Sequence, residues 1–229
     1  MNLKNTVLAR AGLALVMAAA LASCGGGGSK YTIGGVVYGL QYGPLVLTTN
    51  GMEASVQPNP ANTAAEVKEV TYAFPEKLEY GDVYDVIIKQ VTDASGNVTI
   101  QQPPHQICGP ASNSRTSDTA GRLSVISADF VCQLVAPTIG GKVKGLGAGT
   151  LVLNNGSDSL VSIPAPTPAA TPPADIAYVF PVAVTYGKTY GVTVQTNPAG
   201  YTCTVANATG TMRDDPVSNI DVTCVANPT

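Results

Sequence analysis

The chain is predicted to be all-β, built as two tandem antiparallel β-sandwich domains that follow a cleaved signal peptide. Three observations carry this. Residues 139–153 (IGGKVKGLGAGTLVL) rewrite residues 33–47 (IGGVVYGLQYGPLVL) almost position for position. The correspondence continues at the same offset, with Tyr72, Phe74 and Pro75 answered by Tyr178, Phe180 and Pro181, and Tyr80, Gly81 and Tyr84 by Tyr186, Gly187 and Tyr190. A composition poor in charge, without Trp and rich in Gly, Pro, Val and Thr favours strands and turns over amphipathic helices. One module used twice in 229 residues leaves about a hundred residues per copy, enough for each to bury its own core.

Residues 1–23 have a short basic start (Lys4, Arg10), an apolar run too short to span a bilayer comfortably, and small residues at the end, the layout of an export signal. The sequence Leu21-Ala22-Ser23-Cys24 resembles the lipobox of bacterial lipoproteins. That resemblance implies cleavage before Cys24 and its lipidation. The competing reading is a plain secretory leader with a chance cysteine. Parity favours lipid: of five cysteines, four fall into two pairs placed by the repeat, and Cys24 is left over. Gly25 stands where an inner-membrane retention signal of lipoproteins would place Asp, so the resemblance implies an outer-membrane, lipid-anchored protein, periplasmic or surface-facing. Residues 24–30 read as a Gly-rich tether.

The first β-sandwich domain is assigned to residues 31–135. Its opening reads as two strands with residues 39–44 as the turn between them. Asn50-Gly51 then supplies a tight turn, because both residues tolerate positive φ; Asn155-Gly156 is its counterpart. Residues 58–68 form an exposed polar loop, and the equivalent 164–175 is denser still in proline, which donates nothing to a β-ladder. A strand follows at 70–75. Tyr84, Val86 and Ile88 form the inward set of the next strand, whose outward face carries the apolar Ile87, read either as a scattered surface residue or as a contact. Residues 93–102 are an insertion peculiar to this copy, an extended loop or ribbon with Ser95-Gly96-Asn97 at its tip.

The second domain, 136–229, alternates most clearly where Tyr190, Val192 and Val194 interleave with Thr189, Gly191, Thr193 and Gln195. Cys203 shares a strand face with Tyr201 and Val205, Cys224 with Ile220 and Val222, and Cys132 with Ala128 and Phe130. Such placement suits one interior cross-link per module, Cys108–Cys132 and Cys203–Cys224, in an oxidising compartment.

The order Gly-Gly-Val, Leu-Val-Leu, Asn-Gly, Phe-Pro, Tyr-Gly-x-x-Tyr-x-Val and two cysteine strands resembles the Ig-like or prealbumin-like sandwich repeats of bacterial cell-envelope proteins. The stretches from Tyr80 to Val86 and from Tyr186 to Val192 are the most similar. The resemblance implies strand-mediated assembly or binding and transfers no catalytic residue.

Few residues offer chemistry. His105 is the single histidine and, continued from the strand of Cys108, is expected to face away from the core. No serine lies in a nucleophile-elbow motif, so a surface or structural histidine is the reading preferred over a catalytic one. No Cys-x-x-Cys occurs, and one histidine cannot complete a zinc set; no metal and no cofactor are expected. Asp214-Asp215 is read as a solvated turn in preference to a calcium loop, whose acidic spacing is missing. Tyr38 and Tyr42 enrich the first opening turn in aromatic surface and are the candidate binding residues, for a sugar or partner protein, against simple strand-surface filling. A formal charge of −3 argues against nucleic acid as a partner, because phosphate binding needs clustered Lys and Arg. The function expected is a non-enzymatic envelope lipoprotein, held to the membrane by its lipid, that is a structural or protein-interaction module; the alternative is a glycan- or small-ligand-binding lipoprotein.

Overall fold

Runs of alternating β-branched, aromatic and polar residues broken by Gly, Pro and Asn-Gly produce short strands throughout. The computed structural model describes residues 29–122, 126–157, 159–167 and 173–228, and no helix occurs among them. The export signal, the lipobox and Cys24 lie outside the described residues.

In the first repeat the strands are β1 (Lys30–Tyr38), β2 (Leu45–Thr49), β3 (Met52–Val56), β4 (Val70–Glu79), β5 (Val83–Asp85), β6 (Ile87–Ile88), β7 (Gln90–Thr92), β8 (Val98–Ile100), β9 (Gln106–Pro110), β10 (Ser117–Thr119), β11 (Ile126–Ser127) and β12 (Phe130–Leu134). The second has β13 (Gly140–Lys144), β14 (Thr150–Asn155), β15 (Ser159–Pro164), β16 (Ile176–Val179), β17 (Thr189–Thr196), β18 (Tyr201–Val205), β19 (Thr209–Thr211) and β20 (Val222–Ala226).

The repeat in sequence is a repeat in topology. One sheet of the first copy runs β4-β1-β12-β9, and its equivalent runs β16-β13-β20-β18. The opposing sheet is β3-β2-β6 continued by the β5-β10 pair, matched by β15-β14-β17-β19. Pairing is antiparallel except where the first strand meets the last: β1 runs parallel to β11 and β12, and β13 parallel to β20. Each pair of sheets closes over its own core. The first contains Ile33, Val37, Leu47, Phe74, Tyr84 and Phe130. The second contains Ile139, Val143, Leu153, Phe180, Val192 and Met212.

The β2–β3 turn is Asn50-Gly51, with φ of 48° and 76°. Positive φ at both central residues gives the hairpin a twist that matches its strands. β4 continues through Pro75 to Glu79, which an edge strand tolerates because one side of its backbone is unpaired; the register shifts between Thr32 and Gly34 opposite it. β7 and β8 form an isolated two-stranded ribbon, the structure adopted by the first copy's insertion, and Asp93 ties its tip by accepting the Ser95 and Asn97 amides at 2.8 and 2.9 Å. Those bonds, led by the Asn97 side chain, hold the Asp93 carboxyl below its ordinary range.

Cys108–Cys132 and Cys203–Cys224 are directly opposed across β9–β12 and β18–β20, each with Cα atoms 4.0 Å apart. A side-chain amide supports each of them: Gln102 accepts the Cys108 N–H, and Asn197 accepts the Cys203 N–H, both at 2.8 Å.

Where the parallel ladder passes from β11 to β12, the chain crosses β1 at the double glycine. A methyl group on Gly35 would overlap the Ala128 carbonyl, and one on Gly141 would overlap the Ile220 carbonyl. Tyr72 donates its hydroxyl to Ala128 O at 2.5 Å, and Tyr178 donates to Ile220 O at 2.6 Å. Asp129 then accepts the Val36 N–H at 2.9 Å, as Asp221 accepts that of Lys142 at 3.1 Å. The Gly-Gly, Tyr and Asp positions of the repeat are therefore one device that lets two backbones touch.

Candidate functional site: an aromatic joint between the repeats

The 39–44 turn is positioned by a buried side chain. Gln106 Oε1 accepts the Gln41 and Tyr42 amides, both at 2.8 Å, while Nε2 donates to Gly39 O at 2.7 Å. Three backbone groups of the loop are thereby satisfied by one side chain, and Tyr42 is projected from a fixed backbone.

His105 immediately precedes β9 and has φ of 60°, so the strand alternation that would turn it away from the core does not extend to it. It lies instead between the two repeats. Its imidazole stacks on Tyr186 of the second copy with centroids 4.0 Å apart and planes 10° from parallel. Tyr42 meets both rings edge-on, at 5.0 Å from His105 and 5.8 Å from Tyr186. Asp214, from the loop after β19, places both carboxylate oxygens at 2.8 and 2.9 Å from His105 Nδ1. A carboxylate only accepts, so Nδ1 carries the proton.

Backbone bonds reinforce the joint. The Val135 amide donates to His105 O at 2.9 Å, Tyr186 N–H donates to Val135 O at 2.8 Å, and Val184 N–H donates to Pro137 O at 3.0 Å. The connecting residues are thus tied to both copies. The joint has the base-and-orienter half of a hydrolase triad in His105 and Asp214, with the imidazole stacked on Tyr186 and met edge-on by Tyr42.

Tyr38 and Tyr42 have separate fates. Tyr42, 37% exposed, belongs to the joint; Tyr38, 41% exposed at the end of β1, is not one of its rings. Neither lines the open groove of about 620 Å³ between β3 and β4, whose walls include Val56, Pro58, Pro60, Val70 and Tyr72. Ile87 is 38% exposed beside the ribbon. Among the described residues no group of three or more His, Cys, Asp or Glu side chains is placed to hold a metal ion, and Asp214 is engaged by His105. Also among them, Lys89 pairs with Glu53, Arg115 and Arg122 with Asp118, and Lys144 with Asp221, so these cations sit against acids.

Sequence reasoning missed the roles of Tyr186 and Asp214. The repeat pairs Tyr186 with Tyr80, yet Tyr80 is largely exposed while Tyr186 is half-buried in the joint. No helix of the described residues is long and apolar enough to cross a membrane.

No protein-family model matches the chain, and neither does any curated protein. Among solved structures the chain is similar to the major pilin protein (T3.2) from Streptococcus pyogenes serotype GAS13637, with 10% identity over 87% of this chain and 98% of that one and a TM-score of 0.28, a likeness too slight to bear on role.

Proposed function

We propose that the chain is a lipid-anchored outer-membrane lipoprotein, residues 31–135 and 136–229 being two domains that work by contact as a structural or protein-interaction module of the cell envelope. The observation that carries the reading is the joint: the single histidine of the chain, the natural general base, is used to hold one repeat against the other. Two interior disulfides suit an oxidising compartment outside the cytoplasm. Cys24 supplies the anchor, and no catalysis and no cofactor are assigned.

Two rigid sandwiches leave partner choice to the parts in which the copies differ: the 58–68 loop, the 93–102 ribbon, the 164–175 segment and exposed Tyr38. The test is affinity capture from envelope extract with intact and loop-swapped proteins. Recovery of different partners by different variants supports the reading; the same partners from every variant, or turnover of a substrate that is lost in H105A, defeats it. For the anchor, C24A should move the protein from the membrane to the soluble fraction, and continued membrane retention without lipid would refute it. The glycan or small-ligand alternative has the β3–β4 groove in its favour, and titration of soluble glycans against the amides of Val56 and Val70 separates it from the first.

A further inference from the structure

The turn that makes the joint exists twice. Gly187 N–H donates to Met212 O at 3.0 Å in the second repeat, and Gly81 N–H donates to Ala120 O at 2.9 Å in the first, so Tyr186 and Asp214 of the joint are answered by Tyr80 and Arg122. His105 and Tyr42 cover the second copy's turn, whereas the first copy's faces solvent. Tyr80 is 71% exposed and Val83 70%, the two most exposed large apolar side chains among the described residues. Both are held in place: a methyl group on Gly121 would overlap the Tyr80 ring, which therefore lies against that backbone, and the Asn50 side-chain amide donates to Val83 O at 2.9 Å.

The same tip is where the chain enters the fold, because Lys30 pairs with Glu79, the neighbour of Tyr80. Six peptide bonds separate Cys24 from Lys30, and even a fully extended chain of that length reaches only about 20 Å, so lipid on Cys24 keeps the tip beside the bilayer. The far end of a second copy is a poor match for it. Ala148 stands there in the place of Tyr42, and Gly200 in that of His105, its carbonyl accepting the Asn227 N–H as His105 O accepts that of Val135, so the ring pair that meets Tyr186 is not repeated. Around the tip Lys30, Arg115 and Arg122 are interspersed with Glu79, Asp82, Asp85 and Asp118. Mixed signs select no headgroup charge, but a phenol beside a branched aliphatic suits a bilayer interface, where the ring is buried and its hydroxyl stays wet.

We propose that Tyr80 and Val83 are a membrane-docking tip: the turn between β4 and β5 inserts both side chains into the headgroup region of the bilayer that holds the Cys24 lipid. β1 runs from this tip towards Tyr42 and the joint, so the first repeat stands on the membrane and the second is carried away from it. The inference rests on the anchoring at Cys24, since two side chains alone bind a bilayer weakly and a short tether supplies the effective concentration they need.

The chain has no Trp, so Y80W introduces a sole tryptophan as reporter. Cys24, the one cysteine outside the two disulfides, is coupled in the mature chain to a maleimide lipid in phosphatidylcholine vesicles, which supplies an anchor whether or not the cell does. Emission of Y80W should shift to shorter wavelength and be quenched by brominated acyl chains. V225W, at a 63% exposed site on the last strand of the second repeat, should show neither effect, and V83S in the Y80W background should lose most of the quenching. Equal quenching at the two sites, or none at Y80W, overturns the tip. A Y80W shift that grows with protein concentration in lipid-free solution also overturns it, by assigning the tip to a second copy. The mass of the protein exported with its own leader tests the anchor separately: an unmodified Cys24 refutes the lipoprotein reading, and the quenching alone decides the tip.

Discussion

Gly35 and Gly141 show how a single missing methyl permits a whole crossing. Each faces a carbonyl of the last-strand segment so closely that any Cβ displaces backbone, not a flexible side-chain end. G35A or G141A should therefore cost about 3 kcal/mol, within the range for overpacking a core that cannot yield. Gly51, with φ of 76° and open space around it, isolates the other reason for glycine: G51A should cost only about 1 to 2 kcal/mol, the local penalty of a left-handed residue. Urea denaturation of the three variants checks the ordering, and equal losses at Gly51 and Gly141 would refute the close-approach account. The glycine pair was legible in the sequence as a repeated motif, since residues 34–35 and 140–141 coincide under the same offset. Its purpose was not, because the carbonyls it admits belong to Ala128 and Ile220, far along the chain.

Strands were the most readable elements, since burial imposes a period of two that survives in the residues themselves. Tyr84, Val86 and Ile88 are buried as a set, and Ala128, Phe130 and Cys132 likewise. The parallel pairing of first and last strands was not readable, because alternation reports which face a side chain takes and says nothing of strand direction. The crossing tyrosines make that pairing testable. Burial, with Asp221 adding to it, pushes Tyr178 up to about 12 from its ordinary 10.0. Burial and then Asp129 push Tyr72 up as well. The unfolded state releases these protons first, so the stabilisation is complete below about pH 10 and is lost as pH rises through the folded value. Alkaline unfolding should begin above about pH 10. Y178F should lower stability at pH 7 by about 1 kcal/mol through the orphaned Ile220 carbonyl, and flatten the alkaline limb, as followed by circular dichroism. A limb as steep as the parent's would place the alkaline sensitivity elsewhere.

At the scale of the molecule, two cores share one short connection and one joint. The duplication was visible as offset identities, but the joint was not. His105 and Asp214 are separated by 109 positions, and Tyr42 and Tyr186 meet His105 through features that the repeat does not share. A copied sequence reports what the copies have in common, whereas the contact between them uses what differs. The separation of the cores predicts how damage will spread. Cys203–Cys224 spans a sequence separation of 21, worth about 3 kcal/mol in the chain-entropy model, a large share of the roughly 5 to 15 kcal/mol of a domain. Its bridge cross-links β18 to β20 entirely within the second core, and among the described residues no strand of the first repeat pairs with either. The double variant C203A/C224A should therefore lower the protection of second-repeat amides such as Val192 and Val222 by about a hundredfold in native-state hydrogen exchange. Amides of the first core, such as Val37 and Phe130, should exchange as in the parent, because among the described residues the two hydrophobic cores are separate clusters and the joint is made of a few ring and hydrogen-bond contacts. Equal loss of protection in both repeats would show that they unfold as one cooperative unit, with the joint coupling them far more strongly than its stacked rings and the His105–Asp214 hydrogen bond allow.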